Sequence, residues 1–247
     1  VLIIIGYAIK FNNIINEGFN NEPEITECSR CSECNGAQHI RIRIHEGSTI
    51  IEDEAFKDCS SLVSVVIPDD VTSIGEEAFK ECSSLGSVVI PDNVTDIYKY
   101  AFEKCSSLTS VKIGNSVTNI YRSAFRKCSL ASVVIPDSVT SIGDYAFYQC
   151  TNLASVVISH SATSIGDWAF YGCKSLTSVV IPDSVASIGD YAFYMCKSLA
   201  SVVISNNSKL KIGFEAFKGC GCKEDMYKKG ANFQNCVTPT TTTAAPT

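Results

Sequence analysis

Residues 141–163 read SIGDYAFYQCTNLASVVISHSAT, residues 164–186 read SIGDWAFYGCKSLTSVVIPDSVA, and from residue 187 the phrase starts again as SIGDYAFYMCKS. A phrase repeated at fixed spacing builds a repeated structural unit, so this self-similarity decides the fold. The most constant string is Ala-Phe-x-x-Cys. It occurs eight times, ending at Cys59, Cys82, Cys105, Cys128, Cys150, Cys173, Cys196 and Cys220. The steps are 23, 23, 23, 22, 23, 23 and 24 residues. The short step is a deletion after Cys128, where Ser129-Leu130 replaces the usual x-x-Leu. The period is too short for a pair of helices per unit.

One unit can be read from its side chains. In Leu62–Ile67 the alternation predicts a strand with Leu62, Val65 and Ile67 inward and Ser64 and Val66 on the other face. Pro68-Asp69 ends it, because proline donates no ladder bond. Val71 and Ile74 carry the chain back over the core, and Ala-Phe-x-x-Cys is predicted to form a short helical or 3₁₀ turn with Ala, Phe and Cys facing in. A lone unit cannot bury its apolar face, so units must stack. Stacking predicts a parallel sheet of about eight strands spaced about 4.8 Å apart. Phe56, Phe79, Phe102, Phe125, Phe147, Phe170, Phe193 and Phe217 become one buried column and the eight cysteines another. The alternating Ile-Arg-Ile-Arg-Ile of residues 40–44 reads as the first strand, with Ile40, Ile42 and Ile44 inward.

The pattern S-I-G-x-x-A-F-x-x-C-x-x-L-x-S-V-x-I-P-x-S-V-T, matched over residues 40–220, resembles the BspA-type (Treponema pallidum-type) leucine-rich repeat. The resemblance implies a leucine-rich-repeat solenoid of about eight 23-residue repeats with a curved parallel β-sheet on the concave side. The short turns lie on the convex side, and cysteine-containing caps close the ends. It also implies a surface or secreted protein with an adhesive role on host or matrix proteins. The chain divides into an N-terminal segment and cysteine-rich cap (1–39), the solenoid (40–220), a C-terminal cysteine cap (221–236) and the start of a disordered Thr/Pro-rich stalk (237–247). The stalk composition cannot pack a core and is similar to O-glycosylated segments. Residues 1–9, VLIIIGYAI, are too short to span a bilayer. They read either as the end of a signal-peptide apolar region or as a buried strand.

Free cysteine is a small hydrophobe, so the eight periodic cysteines read as a ladder of buried thiols. Five cysteines are off-period: Cys28, Cys31, Cys34, Cys222 and Cys236. They flank the solenoid where open core edges need covering, and read as cap disulfides, with Cys222–Cys236 the best single pair. Zinc is the alternative at Cys28-x-x-Cys31-x-x-Cys34, with His39 as a fourth ligand. Sequons at Asn93 and Asn206 fit a secreted chain.

The composition excludes several function classes. The 247 residues are 45 % hydrophobic and 19 % charged, which rules out disorder for most of the chain. A net charge of -6 argues against nucleic-acid binding. His39, His45 and His160 are scattered, and no phosphate-binding, dinucleotide, serine-hydrolase or zinc-protease motif occurs. No enzyme activity and no cofactor are therefore expected. The aspartates after proline (Asp69, Asp92, Asp137, Asp183) suggest turn chemistry before calcium.

Two surfaces remain as candidate sites. On the concave face the columns are Ser64, Ser87, Ser110, Ser132, Ser155, Ser178, Ser201 and Val66, Val89, Lys112, Val134, Val157, Val180, Val203, with Arg41 and Arg43 the other charges. Small, flat side chains without a deep pocket suit a protein or matrix partner better than a small molecule. They also suit a half-exposed strand with no partner. On the convex side Tyr145, Tyr148, Trp168, Tyr171, Tyr191 and Tyr194 recur in three consecutive units. Such aromatics anchor a protein or glycan partner, or pack unit against unit. The leading expectation is a non-catalytic cell-surface or secreted recognition module, an adhesin or receptor ectodomain, attached to a membrane only through an anchor beyond this sequence. The alternatives are a structural spacer or coat protein, an ice- or crystal-surface binder, and an intracellular scaffold with all thirteen cysteines reduced.

Overall fold

The computed structural model describes residues 40–43, 47, 49–204 and 209–221, and the side chains of 40–43 are not among what it describes. Each unit contributes a longer strand and a two-residue strand. In chain order these are β1 (Ile40–Arg43), β2 (Ile50–Ile51), β3 (Leu62–Val66), β4 (Ser73–Ile74), β5 (Ser87–Val89), β6 (Asp96–Ile97), β7 (Ser110–Lys112) and β8 (Asn119–Ile120). They continue as β9 (Ser132–Val134), β10 (Ser141–Ile142), β11 (Ser155–Val157), β12 (Ser164–Ile165), β13 (Ser178–Ile181), β14 (Ser187–Ile188), β15 (Ser201–Ile204) and β16 (Lys211–Ile212). The short strands form one unbroken parallel sheet, β2 to β16 in order. The longer strands form two parallel sheets of four, β1-β3-β5-β7 and β9-β11-β13-β15. The expected eight-stranded sheet is therefore split between β7 and β9, the strands on either side of the 22-residue step, although the Ala131 N–H still donates to the Thr109 carbonyl across the gap at 3.0 Å. The short-strand sheet was not expected. It arises because Ser-Ile repeats in phase with its copy in every unit, as in Ile74↔Ile97 and Ile97↔Ile120.

The alternation of the longer strands is as expected. Leu62, Val65 and Ile67 are buried and Val66 is exposed. The eight phenylalanines stack in one continuous column, ring on ring at 5.1–5.4 Å and within 8° of parallel. Arg41 pairs in register with Ser64 and Arg43 with Val66, which places both on β1 beside the exposed columns.

The Ala-Phe-x-x-Cys segment differs from expectation, since no α- or 3₁₀-helix forms among the described residues. It is a turn with left-handed backbone at two positions per unit, for example Glu54 (φ 59°) and Asp58 (φ 61°). Its N–H groups alternate in direction. Ala55, Lys57 and Cys59 donate three residues back along their own unit, while Glu54, Phe56 and Asp58 donate to Glu76, Ala78 and Lys80 of the next. A helix would direct successive N–H groups along its own axis and leave the neighbouring unit without these bonds. Stacking wins because every unit gains three inter-unit bonds on this side.

The cysteine column is also partly corrected. Cys82, Cys105, Cys128, Cys150, Cys173, Cys196 and Cys220 are free thiols. Each donates its S–H to the phenylalanine carbonyl of the preceding unit, as in Cys82 Sγ to Phe56 O at 3.1 Å. Cys59, expected to be a thiol, is disulfide-bonded. It opens the column, so no preceding Ala-Phe unit offers it that carbonyl. Burial pushes the Cys150 thiol up to about 12. The predicted cap residues Cys28, Cys31, Cys34, Cys222 and Cys236, with His39, Ile44, Asn206 and the segments 1–39 and 222–247, lie outside the described residues.

Candidate functional site

The strand face is built by the same alternation that builds the core. Val88, Val133, Val156 and Val179 point inward and are buried, so their neighbours must point out. Val66, Val89, Val134, Val157 and Val180 stand 53–62 % exposed. Ser87, Ser110, Ser132, Ser155 and Ser178 are exposed beside them, with Ser64, Ser201 and Val203 half-buried at the ends. Lys112 replaces valine in one of the two units that border the split and is exposed. The structure thus brings the predicted columns together, with β9 to β15 presenting valine and serine without a charged side chain. A shallow notch beside Val89 and Lys112 is lined by Asp69, Ile90, Pro91, Asp92 and Asn93.

The aromatic residues form two stacked columns. Tyr145, Trp168 and Tyr191 lie ring on ring at 5.9 and 4.4 Å, and Tyr148, Tyr171 and Tyr194 at 4.8 and 5.3 Å. Each ring face is covered by the next, so no open face is left within the band for a sugar to stack on. Of the two expectations, unit-to-unit packing is the one this geometry fits. Burial raises the Tyr148 hydroxyl above its ordinary value, with Tyr171 beside it adding to the shift.

In the earlier units the same convex positions carry charge. Lys57 bonds Glu54 and Glu77, Lys80 bonds Glu77 and reaches Glu103, and Arg126 pairs with the buried Glu103. Hydrogen bonds from Lys57 and Lys80 hold the Glu77 carboxyl below its ordinary value. Arg126 then lies over the Tyr148 ring at 5.3 Å, and Arg122 over Tyr145 at 5.0 Å. One continuous spine runs from ion pairs through cation–π contacts into stacked rings. Sequence reasoning noted these charges but not their pairing. The signal was there in opposite charges one period apart, such as Lys80 with Glu103 and Glu103 with Arg126, each across 23 residues.

Two of the aspartates after proline act as backbone acceptors, from the next unit instead of within their own turn. Asp92 accepts from the Asn115 N–H at 2.9 Å and Asp137 from His160 at 3.1 Å. A second such column was missed: Asp144, Asp167 and Asp190 accept from the backbone N–H of the unit above each. Among the described residues no group of three or more His, Cys, Asp or Glu is placed to hold a metal ion. No described helix is long and apolar enough to cross a membrane.

The family model for the BspA type leucine rich repeat region matches residues 27–154 and 118–236, in six copies. The chain belongs to the BspA-type leucine-rich repeat family. Three solved structures are similar to it. The T. pallidum leucine-rich repeat protein is 28 % identical with a TM-score of 0.55, over 74 % of this chain and 78 % of that one. The pneumococcal vaccine antigen PcpA is 20 % identical with a TM-score of 0.56, over 74 % of this chain and 48 % of that one. A leucine-rich repeat protein from Bacteroides ovatus is 29 % identical with a TM-score of 0.47, over 73 % of this chain and 58 % of that one. The chain thus spans little more than half the length of the Bacteroides protein. None of the curated proteins matches. The matched family and the T. pallidum structure are those of leucine-rich repeat proteins.

Proposed function

We propose that this BspA-type protein is a non-catalytic extracellular recognition module that binds a protein partner across its strand face. The observation that carries the reading is the run of exposed valines, Val134, Val157 and Val180, on strands whose outward columns hold no charge. Apolar side chains more than half exposed in a rigid row offer area that a protein partner can bury. The disulfide at Cys59 supports an oxidising, extracellular compartment. The spacer reading has its own support in the convex side, where charges and rings are consumed in contacts between units.

The test is binding to immobilised matrix proteins, fibronectin, laminin and collagen, by surface plasmon resonance. Val134→Glu and Val157→Glu should each weaken a bound matrix protein at least tenfold with the melting temperature unchanged. Equal binding by the wild type and both variants would remove the strand face from the reading.

A further inference from the structure

The sequon Asn93-Val94-Thr95 lies in the turn between β5 and β6. Val94 is fully buried and supplies the packing of the turn. Asn93 and Thr95, the two residues the sequon motif requires, both face solvent. The Asn93 amide Nδ2 donates to the Asp69 carbonyl at 2.7 Å. That bond uses one of its two hydrogens and leaves the other unused in this contact. We propose that Asn93 carries an N-linked glycan, an inference that rests on the extracellular reading above.

The transfer balances with one named co-reactant, an oligosaccharide carried on a polyprenyl diphosphate. Nδ2 forms a bond to the anomeric carbon, the bond from that carbon to the diphosphate oxygen breaks, and Nδ2 loses one proton. The remaining N–H can still donate to Asp69, so the modified turn keeps its bond to the preceding unit. The position of the site carries a consequence for recognition. Asn93 lines the notch shared by Val89, Pro91, Asp92 and Lys112. A glycan there stands beside the β5–β7 end of the strand face and leaves the valines of β9, β11 and β13 uncovered.

The experiment uses protein secreted by its own cells. A digest is treated with peptide N-glycosidase in ¹⁸O-water, and the peptide containing Asn93 is weighed. Conversion of Asn93 to labelled aspartate is the expected result, and Asn93→Gln and Thr95→Ala should each remove the same glycan mass from the intact chain. An unreduced digest reads Cys59 in parallel. Oxidised Cys59 with unlabelled Asn93 overturns the glycan site and leaves the extracellular reading standing. Free Cys59 with unlabelled Asn93 overturns both.

Discussion

The glycine after each Ser-Ile pair is set by how closely two units approach. A Cβ on Gly166 would lie 2.5 Å from the Asp144 nitrogen and 2.6 Å from the Gly143 carbonyl carbon. Two units carry tyrosine at this position, Tyr98 and Tyr121, and their N–H bonds to the preceding unit lengthen to 3.1 Å from the 2.8 Å of Gly143, Gly166 and Gly189. A side chain is thus accommodated by opening the stack. Gly166→Ala should cost about 1–3 kcal/mol, the usual range for overpacking, read as a lower urea midpoint with unchanged slope. An unchanged midpoint would mean the stack opens freely. The opposite sign is expected at Gln149, which is left-handed (φ 55°) where the next unit has Gly172 (φ 68°) and the last has Gly219 (φ 75°). Gln149→Gly removes a left-handed penalty of about 1–2 kcal/mol and adds about 0.4–1 kcal/mol of unfolded-state entropy. A small rise in melting temperature is expected, and a clear fall would contradict the left-handed assignment.

At the level of strands, the break between β7 and β9 coincides with the one shortened step. Cys105-Ser-Ser-Leu108 spans one residue more than Cys128-Ser129-Leu130. Inserting one serine between Ser129 and Leu130 should restore the common step and extend the single Ala131–Thr109 bond into a β7–β9 ladder like the one that joins Ser87↔Ser110 and Val88↔Val111. Amide exchange at Val111 and Val133 should slow at least tenfold relative to the parent chain, and equal exchange rates would show that the shortened step is not what divides the sheet. The inward columns and the exposed valines were legible in the sequence because period-two alternation is a local property. The phenylalanine column was legible because translation by one unit maps Phe79 onto Phe102. The split was not, because the shortened step lies in the turn before Leu130 and its letters do not say how the strands on either side pair. Nor were the left-handed turns, since Ala-Phe-x-x-Cys places apolar residues as a helical turn would. Cys59 was misread because membership of a periodic column does not exclude a disulfide at its first member. The mutual stacking of Tyr148, Tyr171 and Tyr194 could be read from recurrence at one period, which favoured packing without excluding binding.

Across the whole solenoid, the thiol ladder ties stability to alkaline pH. The seven free thiols are all shifted upward. Burial drives this at Cys105, Cys128, Cys150, Cys173 and Cys196, and a hydrogen bond with the neighbouring thiol, ahead of burial, at Cys82 and Cys220. In the unfolded chain each titrates near about 8.5. A folded value raised above the unfolded one gives stability that is complete below about pH 8.5 and lost as pH climbs towards the folded value, about 12 at Cys150. Once the unfolded thiols ionise, unfolding releases up to seven protons. At about 1.4 kcal/mol per pH unit for each, the limiting slope is about 9–10 kcal/mol per pH unit, large against the stability of most domains. Because units interact only with their neighbours, this loss is shared along the stack instead of falling on one end. The urea midpoint should hold steady between about pH 6 and 8 and fall steeply from about pH 9. The double variant Cys150→Ala, Cys173→Ala withdraws two of the seven protons, so its midpoint should fall less steeply over the same interval. A midpoint at pH 9.8 equal to that at pH 7, or an equal fall in the double variant, would show that the buried thiols are not what couples this fold to alkali.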